Sequence, residues 1–197
     1  MAADGTASAE PVRRMRRVER REQILGAATR AFARTGFVHT SLDDVAAEAG
    51  ITRVLLYRHF DSKADMYRAV LDRACRQLET AVDVDNLGDD SLPALVRAAA
   101  ADPDGFRLLF HHAAREPEFR GYIDALTTAS TEIAHRNLTG YLPAGPWLDW
   151  AARIVPRFAI EAVISWLDAG RPDPDHVAER IDHAIRGIMR AAGPNGG

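Results

Sequence analysis

The sequence predicts an all-α fold of about nine helices, a small N-terminal three-helix domain followed by a larger helical one. Three observations carry this. Apolar residues recur at helical spacing through most of the chain, and no segment sustains a period-two alternation. Helix-stopping glycines and prolines fall between the apolar stripes, at Gly36, Gly50, Pro103, Pro117, Pro143 and Gly170. Hydrophobic residues make up 47% of the chain, enough for a sizeable core.

Met1 to Val18 is small and polar, then basic, with Arg13, Arg14, Arg16 and Arg17 close together. It reads as a flexible tail over residues 1–18, or as an arm that orders against phosphates or a minor groove on binding. The first helix spans Glu19 to Thr35, its inner face being Ile24, Leu25, Ala28, Ala31 and Phe32. Gly36 ends it. Ser41 is a good N-cap for the second helix, and Leu42, Val45, Ala46 and Ala49 form its apolar face. Gly50 follows at once, the residue that turns a chain through the left-handed region without a Cβ penalty. Ile51 plugs the angle, Thr52 caps a short third helix, and Leu56 and Phe60 bury its inner side. Arg53, Val54, Leu55, Tyr57, Arg58 and His59 remain on the other sides, which suits a surface entering a DNA groove. Ser62 caps a fourth helix carrying Met66, Val70, Leu71, Ala74 and Leu78. Lys63 sits in its first turn, against the helix dipole, and a phosphate partner would account for it.

The remainder, residues 66–197, reads as a regulatory domain. Asp83 to Ser91 is an acidic loop or frayed helix end. Leu92, Leu95, Val96 and Ala99 begin a helix that Asp102-Pro103-Asp104-Gly105 breaks. Phe106, Leu109, Phe110 and Ala113 give the next apolar face. A helix over about 118–142 follows, then the loop Pro143 to Pro146. Trp147 to Ala169 is apolar on most sides, its polar residues falling on one line: Arg153, Arg157, Glu161, Ser165 and Asp168. Such a helix needs covering on most sides, and Pro156 inside it predicts a kink. The last helix, about 175–192, carries a clean stripe of Val177, Ile181, Ala184, Ile185, Ile188 and Met189. These two helices are the candidate surface for a homodimer built as a four-helix bundle across a two-fold axis.

Charge separates the two parts. Residues 1–76 hold 14 basic against 10 acidic side chains, and the rest 11 against 18. A polyanion would therefore meet the first part alone. Lys63 is the only lysine among 25 basic residues, which reflects an arginine-rich coding bias as much as chemistry. The single cysteine, Cys75, gives neither a disulfide framework nor a metal cluster. No apolar run is long enough to span a membrane and no leader reads as a signal peptide, so a cytoplasmic protein is expected. No nucleophile motif, metal-ligand spacing or phosphate-cradling glycine loop supports an enzyme, and no cofactor or metal is expected.

The run from Arg20 to Ala74 resembles the DNA-binding domain of TetR-type transcriptional regulators. The stretches that carry the resemblance are AATRAFARTGF, TSLDDVAAEAGI and TRVLLYRHFDSKADMYRAV. It implies a helix-turn-helix domain over 19–65, a homodimer on a palindromic operator in double-stranded DNA, and repression relieved by a small molecule. It also implies phosphate contacts from Tyr57, His59 and Lys63. Thr40 and Thr52 join the DNA-contacting set, and base reading falls to Arg53, Val54, Leu55 and Arg58. Many family members carry a small polar residue where Leu55 stands, which leaves readout by hydrogen bond from that position open. The effector is expected to be hydrophobic or aromatic, in a pocket built from Phe106, Arg107, Phe110, His111, Tyr122, Trp147, Trp150 and Phe158. The alternative is a helix-turn-helix protein governed by a protein partner, without a small ligand.

Overall fold

A computed structural model describes residues 9–82 and 90–193. The Arg13, Arg14 and Arg16 side chains, and residues 83–89 of the expected acidic loop, lie outside what is described. Helix α1 spans Ala9–His39, α2 Leu42–Ala49, α3 Arg53–Tyr57, α4 Lys63–Ala81, α5 Ser91–Ala101, α6 Pro103–Arg107, α7 Arg120–Leu138, α8 Pro146–Asp168 and α9 Val177–Ala192. There is no strand among the described residues. The chain divides into two compact units, Met1–Asp72 and Arg73–Gly197.

Two expectations about the first unit are corrected. α1 begins at Ala9, upstream of Glu19, so part of the expected tail is helical. Its arginines and glutamates are strong helix formers, and polarity alone does not make a segment irregular. The unit also reaches past residue 65, because the first turns of α4 bury Met66, Tyr67, Val70 and Leu71. Tyr67 meets Phe32 edge-on, ring centroids 4.9 Å apart, and Phe37 at 5.0 Å. Around them Ile24, Leu25, Ala28, Val45, Leu56 and Phe60 complete the core that the helical spacing predicted. Gly36 interrupts α1 with φ 77°, in the region that favours glycine, and a last turn to His39 follows.

In the second unit Asp102 breaks the chain as predicted and its carboxylate caps α6 by accepting from the Gly105 amide at 3.0 Å. A π-helical turn, Leu108–His112, and two short 3-10 turns lead to α7. α8 runs through Pro156 and buries Leu148, Ala151, Ala152, Ala159, Val163, Ile164, Trp166 and Leu167. Partners within the chain cover these: Leu138 and Leu142 at one end, Val96, Phe106, Val177 and Ile181 at the other. The apolar perimeter that seemed to require a second chain is thus largely covered internally. The predicted polar line of α8 is exposed, and Trp147 and Trp150 are its exposed aromatics. None of the described helices is long and apolar enough to cross a membrane.

Candidate nucleic-acid interface and ligand cleft

The turn between α2 and α3 is fixed at both of its shoulders. The Ser41 hydroxyl accepts from the Asp44 amide at 3.1 Å, and the Asp44 carboxylate accepts from the Ser41 amide at 2.8 Å, a reciprocal capping box. The Ser41 hydroxyl, donating to the Asp44 carboxylate at 2.6 Å, and then the Ser41 amide hold that carboxyl below its usual range. At the other end Gly50 adopts φ 63°, ψ 35°, and the Gly50 and Ile51 amides return to the Ala47 and Ala46 carbonyls. Glu48 accepts from Arg30 at 2.7 Å and pairs with Arg34 at 2.8 Å, tying α2 to α1. The same two guanidiniums hold the Glu48 carboxyl low.

α3 is only five residues long, and its inner side is anchored as predicted, with Leu56 1% and Phe60 3% exposed. Arg53, Val54, Tyr57 and Arg58 are exposed, Val54 by 68%, while Leu55 and His59 are half-buried. Arg53 and Tyr57, four residues apart, meet on one outward face of α3. Thr52 stands at the N-cap with extended angles, yet its side chain makes no cap bond, contrary to expectation. Its exposed hydroxyl is left to the outer surface. Arg53 is already oriented. Its Nη1 reaches the Asp43 carboxylate at 3.1 Å, its Nη2 donates to the Tyr57 hydroxyl at 3.3 Å, and its guanidinium lies 5.7 Å from the Tyr57 ring centre. The Tyr57 bond first, then the Asp43 charge, raise the guanidinium above its ordinary range. Burial, then the charges of Arg17, Arg21 and Arg20, hold the His59 imidazole below its usual range.

Two residues expected to contact phosphate have hydrogen-bond partners within the chain. Thr40 is 2% exposed, and its hydroxyl is spent on the Gly36 carbonyl at 2.7 Å and the Thr35 hydroxyl at 2.8 Å. A β-hydroxyl just beyond a broken helix bonds the nearest free carbonyl, which sequence spacing does not distinguish from an outward one. Lys63 donates to the carbonyls of Phe37 at 2.8 Å and Thr40 at 3.1 Å, and its ammonium lies 4.4 Å from the Phe37 ring centre. The cation misplaced for its own helix dipole neutralises the carbonyls at the end of α1 instead. Its neighbour Ser62 caps α4 as predicted, accepting from the Asp65 amide at 3.0 Å.

In the second unit, α7, α8 and α9 with the ends of α4 and α5 enclose a partly open cleft of about 1440 Å3. Of the expected aromatic set only Phe110 lines it. Phe106 is core, its ring tilted against Phe110 with centroids 4.8 Å apart, and Phe158 packs on the same cluster. Arg107 donates to Asp168 at 2.8 Å, and His111 lies 3.8 Å from Glu161. Tyr122 is half-buried outside the cleft. Trp147 and Trp150 meet edge-on at 5.8 Å and are 60% and 36% exposed. The missed lining is the stripe of α7, Ile123, Leu126, Ser130, Ile133 and Ala134, whereas Thr127 and Thr131 beside it were expected as polar points of the pocket. Its helical spacing was a usable signal, outweighed by the larger aromatics. No group of three or more His, Cys, Asp or Glu among the described residues could hold a metal ion.

A braced helix-turn-helix that turns arginines, a tyrosine and an apolar edge outward defines the first unit as a DNA-binding module. Residues 24–70 match the family described as bacterial regulatory proteins, tetR family. The matched residues are those of the helix-turn-helix, and over them the chain is similar to that family. It is 33% identical over 128 residues to the HTH-type transcriptional activator FasR of Mycolicibacterium smegmatis, a match covering 60% of this chain and 58% of that protein. It is 42% identical over 77 residues to the HTH-type transcriptional regulator TtgR of Pseudomonas putida, covering 36% and 37%. The chain thus spans little more than half, or less, of these relatives' length, and both are named regulators rather than enzymes. A TetR-like transcriptional regulator from Rhodococcus sp. RHA1 shares the fold, with a TM-score of 0.74, 21% identity and coverage of 86% of this chain and 95% of that one.

Proposed function

We propose that the protein is a cytoplasmic transcriptional repressor that binds a palindromic operator as a homodimer and is released by a small hydrophobic effector. The observation that carries this reading is the outward surface of α3. Arg53, held by Asp43 and Tyr57, is the guanine reader, and exposed Val54 suits a thymine methyl group. Tyr57, Arg58, His59 and Thr52 donate to phosphates and fix the register. One such surface buries little area, so two heads about 34–36 Å apart on successive major grooves supply the affinity. α8 and α9, with Trp147, Trp150 and the exposed Ala184 and Ala191, form the dimer contact. The effector occupies the cleft and favours one arrangement of the second unit. α4 has residues in both units and passes the change to the heads. The shift is as large as the effector's differential affinity for the two arrangements.

The test is binding to the DNA upstream of this protein's own gene, across a salt series, with wild type, Arg53→Ala and Tyr57→Phe. Saturable, salt-steep binding to a palindrome, weakened at least tenfold by Arg53→Ala, is the expected outcome. Binding no tighter than to random DNA and unchanged by either variant would overturn the assignment of α3. Transcription from the same promoter with and without the protein separates repression from activation.

A further inference from the structure

The charges of the cleft are sorted along its length. α8 and α9 run antiparallel: Ala151, Ala152 and Val155 pack with Met189 and Ala192 at one end, while Val163, Ile164 and Leu167 pack with Val177, Ile181 and Ile185 at the other. That register sets Arg153 and Arg157 of α8 level with Arg186 and Arg190 of α9. α7 is antiparallel to α8, since Ala134 and Leu138 share the cluster of Ala151 and Ala152. Asp124 therefore lies towards the Glu161 and Ile164 end. Leu78 packs on that end as well, which brings Glu79 with it. All of these charged side chains line the cleft.

The basic end is not neutralised from within. Arg186 donates to Asp182 at 2.6 Å. Arg153, Arg157 and Arg190 have no hydrogen-bond or ion-pair partner among the described residues. Between the two ends the wall is mostly aliphatic, with Leu92, Leu95, Leu126, Ile133, Ile160 and Ile164, the aromatics Phe110 and Tyr141, and the hydroxyls of Thr127, Ser130 and Thr131 on α7. Guanidinium groups favour carboxylate or phosphate oxygens, and a mostly aliphatic wall favours apolar surface, whose shape the length of the cleft selects. From Arg153 to Ile164 the wall runs about 16 Å at the rise of an α-helix.

We propose that the cleft binds one unbranched aliphatic molecule ending in an anionic group, the anion on Arg153, Arg157 and Arg190 and the chain laid towards Ile164. This rests on the reading of the cleft as the effector site and names the chemical class of that effector. The anion could be the carboxylate of a free fatty acid or the phosphates of an acyl thioester, and the two are separable by experiment.

Calorimetric titration of the full chain, without DNA, would use octanoate, dodecanoate, hexadecanoate, dodecanol, dodecylamine and hexadecanoyl-coenzyme A. Affinity should rise about threefold to fourfold per added methylene until the cleft is filled. Dodecanoate should bind at least tenfold tighter than dodecanol. In the double variant Arg153→Gln/Arg157→Gln that ratio should fall towards one while dodecanol binds as in wild type, which also reports an intact fold. Tighter binding of the thioester than of hexadecanoate assigns the anion to phosphate; the reverse assigns it to carboxylate. Equal binding of acid and alcohol, a preference for the amine, or no binding of any chain would overturn the proposal. So would dissociation of a dimer in the double variant together with no chain binding in wild type, since a second copy would then occupy the cleft. Operator release is read separately. An acid that binds yet leaves the operator complex intact sinks the effector reading and spares the cleft assignment. Release by other compounds, with no chain bound, does the opposite.

Discussion

Arg53 enters any DNA complex with its orientation set beforehand. The contact with Asp43 is exposed on both sides, 52% and 69%, so it contributes little to stability and acts by choosing a direction. Asp43 also places a negative charge next to the exposed face of α3. Asp43→Asn should therefore tighten binding to random DNA several-fold and narrow the gap between operator and random sequence, read by competition titration. His59 makes a prediction with a definite sign. Its folded value is depressed, so below about 6.5 the unfolded chain takes up a proton that the folded chain refuses. The stability it contributes is complete above that pH and is lost as pH falls through it. Thermal unfolding from pH 8 to 5 should show this loss in wild type and a shallower one in His59→Gln. The roles of Thr40 and Lys63 were the residues least legible beforehand. Each is polar and each precedes or opens a helix, and only the folded positions of the Phe37, Gly36 and Thr40 carbonyls decide where they point.

At the scale of elements, legibility follows locality. The Ser41 cap, the left-handed Gly50 and the Leu56–Phe60 anchor each depend on residues a few positions apart, and all three stand where sequence spacing put them; the reciprocal bond to the Asp44 carboxylate was not foreseen. Gly50 has open space where a Cβ would stand, so its cost of substitution is purely conformational. Gly50→Ala should cost about 1–2 kcal/mol of unfolding free energy, with Gly50→Asn costing less, as denaturant titration would show. The cleft was legible only in part. Its wall is assembled from five helices far apart in sequence, and a helical stripe of aliphatics reads alike whether it meets a neighbour or a cavity. Bulk misled in the same way: Phe106 and Phe158 are large because they fill the core, whereas the lining is made of smaller residues. α1 was under-read for the opposite reason, since a charged segment with no apolar stripe carries no periodic signal.

For the whole molecule the governing quantity is the split of charge. The first unit carries the basic excess and the second the acidic one, so all the salt sensitivity of DNA binding should reside in the first. Arg58→Gln should lower the slope of log affinity against log salt by about one per head, while Arg180→Gln, exposed in the second unit and paired with Asp173 at 2.7 Å, should leave it unchanged. Filter binding at four salt concentrations would distinguish the two. The clamp made by Lys63 has one further use. Because no other lysine exists in the chain, a single side-chain amine is available to acylating reagents, and it must let go of the Phe37 and Thr40 carbonyls before it can react. The rate of its labelling, followed by mass spectrometry, is then a clock for the opening of the joint between α1 and α4, supplied by the protein without any introduced probe.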